Sequence, residues 1–326
     1  MQTLYANRRQ ALVATLAVML APAAMAQAPW PSAPITLVNP YAAGGPADTL
    51  ARTLARQLES RLKQTVIVDN KAGGAATIGT GFVARAKPDG YTLLIGTSAG
   101  HVVTPLMQKI PYDGVGDFTF IGVVANQPNV LVAHPSLGVK TVADLIALAK
   151  REPDSLNYAS AGAGGATHLG GVMFQQRAGI RITHVPYPGA APALKDVVGG
   201  QVQLGMLNLG GVLPFVKSGK LVALAYASRK RSELLPDVPT MAEAGVTQAE
   251  SSTWYTLSVP RGTPAPIVQS LHQALDATLA DPAFGEFLLS QGAERMVLTP
   301  PATTAFVQED KRQMERLLAS MGSLAK

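Results

Sequence analysis

Residues 35–48 read ITLVNPYAAGGPAD, an apolar run with β-branched residues that leads into a glycine-rich loop. A helical pattern follows directly, because leucines recur at every fourth position from Leu50 to Leu62. Pro46 suits the first turn of this helix, where its missing N–H would have no intrahelical partner in any case. The stretch therefore predicts a strand, a loop of small residues and a helix, in that order.

The same order of features repeats along the chain. Five more apolar runs each lead into a loop of small residues, at 66–69, 91–95, 156–159, 182–185 and 202–207. Strands that alternate with helices predict parallel sheets with crossover helices, which is an α/β fold. Because ligands of open α/β sheets bind beyond the carboxyl ends of the strands, we expect these loops to carry the function.

Two extended segments are unusually long: residues 118–133, interrupted at Gln127-Pro128, and residues 253–259. A pair of long strands far apart in sequence allows a chain to cross twice between two lobes. We therefore expect residues 27–126 plus 256–326 to form lobe 1 and residues 127–255 to form lobe 2.

Helical patterns also occur at 141–150, 266–279 and 303–321, with a strand-like stretch at 296–298 between the last two. The first of these helices opens with Thr141 and has Asp144 three residues later, which resembles a capping box.

The first 26 residues have the features of a secretory signal peptide. A basic stretch at Asn7-Arg8-Arg9 precedes an apolar run at 11–21, and Ala24-Met25-Ala26 supplies the small-x-small cleavage pattern. Eleven apolar residues are too few to span a bilayer, which needs about twenty. We predict cleavage after Ala26 and export to the periplasm, by either the general or the twin-arginine route.

Composition excludes several classes of function. The 326 residues include no cysteine, which rules out disulfides, thiolate metal sites and cysteine nucleophiles. Removing Arg8 and Arg9 with the signal peptide lowers the net charge from +6 to +4, spread thinly over the mature chain. A nucleic-acid-binding surface needs clustered positive charge, so we expect no nucleic-acid partner.

One motif suggests an enzyme. Residues 96–100 read GTSAG, which matches the G-x-S-x-G turn that exposes a serine nucleophile in hydrolases. A catalytic acid and histidine could come from Asp196, Asp237 and His272. No oxyanion-hole motif accompanies the serine, so a serine hydrolase using Ser98 is kept as the alternative function.

Metal and cofactor chemistry receive less support. The five histidines have no histidine partner within four residues, so no local metal-ligand pair exists. Residues 162–167 lack the last glycine of G-x-G-x-x-G, and no G-x-x-x-x-G-K-[ST] motif occurs. We predict no metal and no cofactor, and we leave open whether His168 contacts a ligand or serves the structure.

The small-residue loops favour capture of an anion by the backbone. Glycine permits close approach of the chain, helix N-termini present unpaired N–H groups, and Ser, Thr and Asn add neutral hydrogen bonds. A carboxylate held in this way needs no cationic side chain. The loops contain these residues and few Lys or Arg.

From Trp30 to about Arg295 the sequence resembles the Bug-type extracytoplasmic solute receptors of the tripartite tricarboxylate transporter family. The stretches that carry the resemblance are, in order, Trp30-Pro31, residues 40–48 (PYAAGGPAD), 68–74 (VDNKAGG), 86–94 (AKPDGYTLL), 111–118 (PYDGVGDF), 158–162 (YASAG), 183–187 (THVPY), 199–203 (GGQVQ), 235–240 (LPDVPT) and 260–264 (PRGTP). The resemblance implies a two-lobed type II periplasmic binding fold, with each lobe a mostly parallel sheet flanked by helices and joined by two crossing strands. It also implies that the chain binds a small carboxylate, hands it to a two-subunit membrane permease and performs no catalysis. We further expect a monomer.

The same resemblance implies the residues of the ligand site. Lobe 1 would contribute Tyr41, Gly45, Ala47, Asp48, Thr97 and Ser98, and lobe 2 would contribute Ser160, Gly164, Gly165, Thr167, His168, Tyr187 and Asn208. The family commonly has an aspartate directly before the position of Asn208, where this chain has Leu207. Leucine there indicates either a less polar ligand, such as the aromatic carboxylates terephthalate or protocatechuate, or simply a residue that fills the core.

Overall fold

The computed structural model describes residues 30–321, with side chains described as far as residue 319. The predicted signal peptide, residues 1–26, lies outside the described residues. From Ala33 to the end of the described chain the protein forms one compact unit.

The first half of the sheet begins with the predicted strand–loop–helix unit. Strand β1 (Ile35–Asn39) lies between two parallel neighbours, β2 (Val66–Asn70) and β3 (Thr92–Thr97). Helix α1 (Pro46–Leu62) follows β1 and buries the predicted stripe, with Leu54 and Leu58 fully buried. Burial of each such leucine contributes about 1.5–3 kcal/mol to folding. After β2 comes helix α2 (Thr77–Ala84), and after β3 a π-helix at Ala99–Val103 continues into the short helix α3 (Thr104–Met107).

The second half of the sheet also has a parallel core. Strand β5 (Asn157–Ser160) lies between β6 (Thr183–Pro186) and β7 (Leu204–Asn208), each followed or preceded by a crossover helix. These helices are α4 (Val142–Arg151), α5 (Ala166–Ala178), α6 (Ala190–Val198) and α7 (Leu209–Lys217). Helix α4 begins with a capping box, because Thr141 and Asp144 each bond the other's backbone N–H, as the sequence predicts.

Two long strands connect the halves. Strand β4 (Phe118–Ala133) pairs with strand β9 (Ser252–Pro260) as far as Pro128, and then with β7 from Asn129 onward. Strand β8 (Val222–Tyr226), which was not predicted from the sequence, also pairs with the second half of β4. The predicted interruption at Gln127-Pro128 is therefore not a break in the strand but the position where its partners change. The lobe boundaries themselves remain a prediction.

The C-terminal region differs from the prediction in two respects: it has one additional helix, at Pro282–Ser290, and lacks one predicted strand. It contains helices α8 (Ala265–Ala280), α9 (Pro282–Ser290) and α10 (Pro300–Met321). The strand expected at 296–298 is wrong, because that stretch forms no ladder and Val297 is 60% exposed. An isolated bridge pairs Glu294, two residues before that stretch, with Asn126. Within the part of the chain that the structure describes, no helix is both long and apolar enough to cross a membrane.

Candidate ligand-binding site

A cavity lies where strands of both halves end and the following helices begin. Small residues and hydroxyl-bearing or amide side chains line it: Tyr41, Ala42, Gly45, Pro46, Ala47, Ala75, Thr97, Ser98, Ala99, Ala161, Gly162, Ala163, Gly165, Ala166, Thr167, Ala190, Asn208, Thr253 and Tyr255. None of these lining residues is Asp, Glu, Lys, Arg or His. The cavity therefore has no full charge on its wall.

Several helices have their N-terminal ends at this cavity. Gly45 is the N-cap of α1, Gly165 of α5, Asn208 of α7 and Ser98 of the π-helix, and all four line the cavity. In none of the four does a cap side chain accept a bond from the helix backbone. First-turn N–H groups have no partner within a helix, and together with the helix dipole they attract anions. The arrangement can hold a carboxylate without any cationic side chain.

The half-buried Tyr41 and the buried Tyr255 add neutral polar groups to the wall. The hydroxyl of Tyr41 lies 2.8 Å from Oγ1 of Thr97, and burial raises the pKa of Tyr41 to about 12. Burial also raises the pKa of Tyr255. Both phenols therefore stay protonated at neutral pH and do not repel an anion.

Ser98 lies at the start of the π-helix with an ordinary helical backbone, φ −52° and ψ −38°. Its hydroxyl donates to Oδ2 of Asp310 on α10 at 2.7 Å. Burial raises the pKa of Asp310, and the bond from Ser98 opposes this because it stabilises the carboxylate.

These contacts leave the serine hydrolase unsupported. The strained turn of a nucleophile elbow is missing, and in the described chain no histidine bonds to Ser98. His272 instead pairs with Asp276 at 3.3 Å, and Asp196 accepts from Tyr187.

Packing explains the glycines of the GTSAG motif. A Cβ on Gly96 would overlap the ring of His101, and a Cβ on Gly100 would overlap the side chain of Thr80. Packing in the core of this half therefore accounts for the motif's two glycines, which do not indicate a catalytic turn.

The amide of Asn208 is held by a hydrogen-bond network. Its Nδ2 donates to Oδ1 of Asn129 at 2.9 Å and to Oγ1 of Thr253 at 3.1 Å. Asn129 in turn donates through Nδ2 to Ser251, whose hydroxyl donates to the carbonyl of Ala166. Asn129 and Thr253 belong to the two crossing strands, so the network joins those strands to the cavity wall.

The structure places eight of the predicted site residues on the cavity wall. They are Tyr41, Gly45, Ala47, Thr97, Ser98, Gly165, Thr167 and Asn208. Their contact with a ligand remains a prediction.

The other predicted residues lie beside the cavity and not on its wall. Asp48 is 5% exposed and accepts hydrogen bonds from the Gly44 N–H, Arg52 and Asn70, so it shapes the loop before α1. Burial acts to raise the pKa of Asp48, but these hydrogen bonds and the charge of Arg52 outweigh it and lower the pKa overall.

Behind the loop of α5, Ser160, Gly164 and His168 form a connected cluster. The hydroxyl of Ser160 lies 2.7 Å from Nε2 of His184, and Nδ1 of His168 accepts the N–H of Gly164 at 3.0 Å. The two imidazole rings stack at 4.0 Å. Burial lowers the pKa of His168 to about 4 and that of His184 to about 3, so both are neutral at pH 7. The histidines line a groove of about 1140 Å³ that adjoins the cavity at Ala163.

Tyr187 and Leu207 also lie off the wall. The hydroxyl of Tyr187 donates to Asp196 at 2.7 Å. Leu207 is 1% exposed and packs in an apolar cluster with Val130 and Val132, so its side chain fills the core.

Thr253 and Tyr255 line the cavity but were not predicted. They stand two residues apart on β9, and alternate residues of a strand share a face. That alternation within the predicted strand 253–259 was the available signal. The small residues Ala42, Ala75 and Ala190 gave none, because alanine carries no chemistry that marks a site.

The fold and this site define a solute-binding protein of two lobes, with a ligand cavity at converging helix N-termini. The chain belongs to the family described as the tripartite tricarboxylate transporter family receptor (TctC), whose sequence model matches residues 50–323.

Solved structures of relatives agree with this assignment. The periplasmic binding protein BugD is 38% identical, with a TM-score of 0.86 over 90% of this chain and 99% of its own. Rpa4515 of R. palustris, solved with adipate, is 37% identical, with a TM-score of 0.87 over 90% of this chain and 98% of its own. MatC of Rhodopseudomonas palustris, solved with bound malate, is 31% identical, with a TM-score of 0.83 over 89% of this chain and 100% of its own.

Proposed function

We propose that this chain is exported to the periplasm after cleavage at Ala26, captures a small organic carboxylate in the cavity and delivers it to a two-subunit membrane permease. It acts as a monomer and catalyses no reaction. One observation carries the proposal: four helices begin, without side-chain caps, around a cavity that has no charged side chain.

The magnitudes suffice for a transport receptor. A charge-assisted hydrogen bond to a carboxylate contributes about 1.5–3 kcal/mol. Three or four such bonds exceed the cost of association by enough to give micromolar binding, about 8 kcal/mol. The two relatives solved with adipate and malate support a carboxylate as the ligand class.

An aromatic carboxylate such as terephthalate is the finer form of the proposal. Its sequence argument depended on Leu207, whose side chain packs in the core. Leu207 therefore gives no reason to expect tighter binding of aromatic acids than of aliphatic acids, and both are tested.

The experiment measures melting temperature and calorimetric affinity of the chain from Gln27 onward with adipate, citrate, terephthalate and protocatechuate. The matched diamides of adipate and terephthalate serve as uncharged controls. Because a ligand of the native state raises its stability, we expect at least one acid, and neither diamide, to raise the melting temperature. Equal effects of an acid and its diamide, or no effect of any acid, would contradict the proposal.

A pair of variants tests the location. Ala161→Glu places a carboxylate at the cavity, whereas Ala283→Glu adds the same charge on the exposed face of α9. We expect Ala161→Glu to weaken binding at least tenfold, about 1.4 kcal/mol, through repulsion of the ligand, and Ala283→Glu to leave it unchanged. Equal affinities in the two variants would place the ligand elsewhere.

A further inference from the structure

Two polar side chains of the cavity wall, Ser98 and Asn208, each donate all their side-chain protons to other groups of the protein. These partners determine which polar atoms of Ser98 and Asn208 remain free to bind a ligand.

For Ser98 the partner is a carboxylate. A serine hydroxyl has one proton, and here it is donated to Oδ2 of Asp310 at 2.7 Å. Asp310 belongs to α10 and does not line the cavity. Toward the cavity, Ser98 can therefore only accept a hydrogen bond.

For Asn208 the direction follows from a backbone carbonyl. The carbonyl of Ala166 can only accept, so the hydroxyl of Ser251 must donate to it at 2.7 Å. Ser251 then accepts from Nδ2 of Asn129 at 2.7 Å, which turns Oδ1 of Asn129 toward Asn208.

The two protons on Nδ2 of Asn208 are in turn donated to Asn129 and Thr253. Within the described chain no hydrogen bond uses Oδ1 of Asn208, so this wall residue too can offer a ligand only an acceptor. Two independent hydrogen-bond networks thus leave both wall side chains as acceptors toward a ligand.

We propose that the ligand is a hydroxy acid, whose carboxylate binds at the helix N-termini and whose hydroxyl donates its single proton to a three-centre hydrogen bond shared by Oγ of Ser98 and Oδ1 of Asn208. The inference rests on the proposed function and specifies its ligand class. A plain carboxylate would leave both acceptors desolvated without a donor, which costs affinity. An ammonium group in place of the hydroxyl would need a charged partner, and no lining residue carries one.

Asp310 is then a positioning residue, acting through Ser98. In Asp310→Asn the neutral amide can donate to Ser98, whose own proton becomes free to bind a ligand acceptor. This variant should lose selectivity for hydroxy acids while keeping the ability to bind carboxylates.

Two matched series test the proposal. Succinate, malate and aspartate differ only in H, OH or NH₃⁺ on one carbon, as do phenylacetate, mandelate and phenylglycine. Both enantiomers of each chiral acid are measured by calorimetry against the chain from Gln27 onward. We expect the hydroxy acid of at least one series to bind about tenfold more tightly than its parent acid and its amino acid, the effect of about one hydrogen bond.

Ser98→Ala and Asp310→Asn should each reduce that ratio to below about threefold, since one of the acceptors is lost or reversed. Glu309→Gln is the matched control, because Glu309 directly precedes Asp310 on α10 and pairs with Arg312 at the surface. It should leave the ratio unchanged. The ratio distinguishes a positioning role from a merely structural one, which would weaken both acids alike.

The outcomes separate this inference from the function on which it rests. Binding of adipate or terephthalate without a hydroxy-acid preference in either series overturns the inference alone, as does tightest binding of an amino acid. An unchanged ratio in both Ser98→Ala and Asp310→Asn also overturns it. If Asp310→Asn fails to fold, Ser98→Ala decides. No binding by any acid of either panel overturns both proposals.

Discussion

Nδ2 of Asn208 donates to Oδ1 of Asn129 at 2.9 Å, and the same two residues are register partners between β7 and β4. Asn129 is fully buried at the point where β4 exchanges β9 for β7 and β8 as its partners. A residue of the crossing strands thereby orients a residue of the cavity wall.

Asn129→Leu tests that relationship. The change removes the acceptor for Asn208 and leaves buried polar groups without partners, so we expect a loss of about 1–3 kcal/mol in the free energy of unfolding. The freed amide of Asn208 should also rotate, which lowers the preference for a hydroxy acid over its parent. Urea denaturation and calorimetry measure the two effects. Asn157→Leu, on β5 and off the cavity, should leave the ligand preference unchanged, and a drop of the same size there would refute the role given to Asn129.

Gly96→Ala should destabilise the fold. Its Cβ would overlap the ring of His101 and approach Oγ1 of Thr256 to 2.8 Å, and overpacking of this kind costs about 1–3 kcal/mol. Gly285→Ala, in the open interior of α9, is the matched control and should be neutral or stabilising by up to about 1 kcal/mol. Thermal melts compare the two, and equal stabilities would show that the core relaxes around Gly96.

Ser98→Ala should fold normally, and neither it nor the wild type should hydrolyse p-nitrophenyl acetate beyond the uncatalysed rate. Hydrolysis by the wild type that disappears in the variant would establish the serine enzyme.

Leu207→Asp should unfold or severely destabilise the protein, because it buries an unpaired carboxylate among Val130, Val132 and Tyr226. We expect a cost of about 3–5 kcal/mol. Leu207→Met, which conserves volume and polarity, should cost less than about 1.5 kcal/mol. A stable Leu207→Asp variant that gains affinity for aspartate would instead show that this position contacts the ligand.

Stability should fall as the pH drops from about 6.5 to about 4, because of the buried histidines. Burial lowers the pKa of His101 and His168 to about 4 and that of His184 to about 3. Above about pH 6.5 neither the folded nor the unfolded state protonates these groups. Below about pH 6.5 these histidines bind protons in the unfolded state but not in the folded state, so the free energy of unfolding falls.

His168→Asn isolates one of these contributions. The Asn oxygen can replace Nδ1 as acceptor for the Gly164 N–H, while the titrating imidazole is removed. Melting temperatures between pH 7 and pH 4.5 should decline less steeply than in the wild type. His134→Asn, at a surface turn, should leave the slope as it is. A steeper decline in His168→Asn would contradict the explanation.

Local patterns predicted much of the secondary structure. The leucine stripe of α1 and the capping box at Thr141 depend on residues three or four positions apart, so the local sequence is enough to predict them. Strand β1 is visible as an apolar, β-branched run, although its partners β2 and β3 are distant in sequence. Strand β8 and helix α9 were missed, since short apolar runs do not distinguish strand, helix and loop. The loops that follow the strands did indicate the right region for the cavity, because α/β topology brings those loops together at one edge of the sheet.

The sequence by itself determined the α/β class and the family, both of which depend on local pattern or on motifs in order. The export signal at residues 1–26 stays a prediction from the same kind of pattern. Only the tertiary structure decided which side chains reach the cavity and which atoms they present. Leu207 differs from its neighbour Asn208 because successive strand residues face opposite sides of the sheet. Ser98 and Asp310 lie 212 positions apart, so no local sequence pattern predicts the hydrogen bond between them. Hydrogen-bond direction at the wall depends on such distant partners, and the folded chain alone brings them within 2.7 Å.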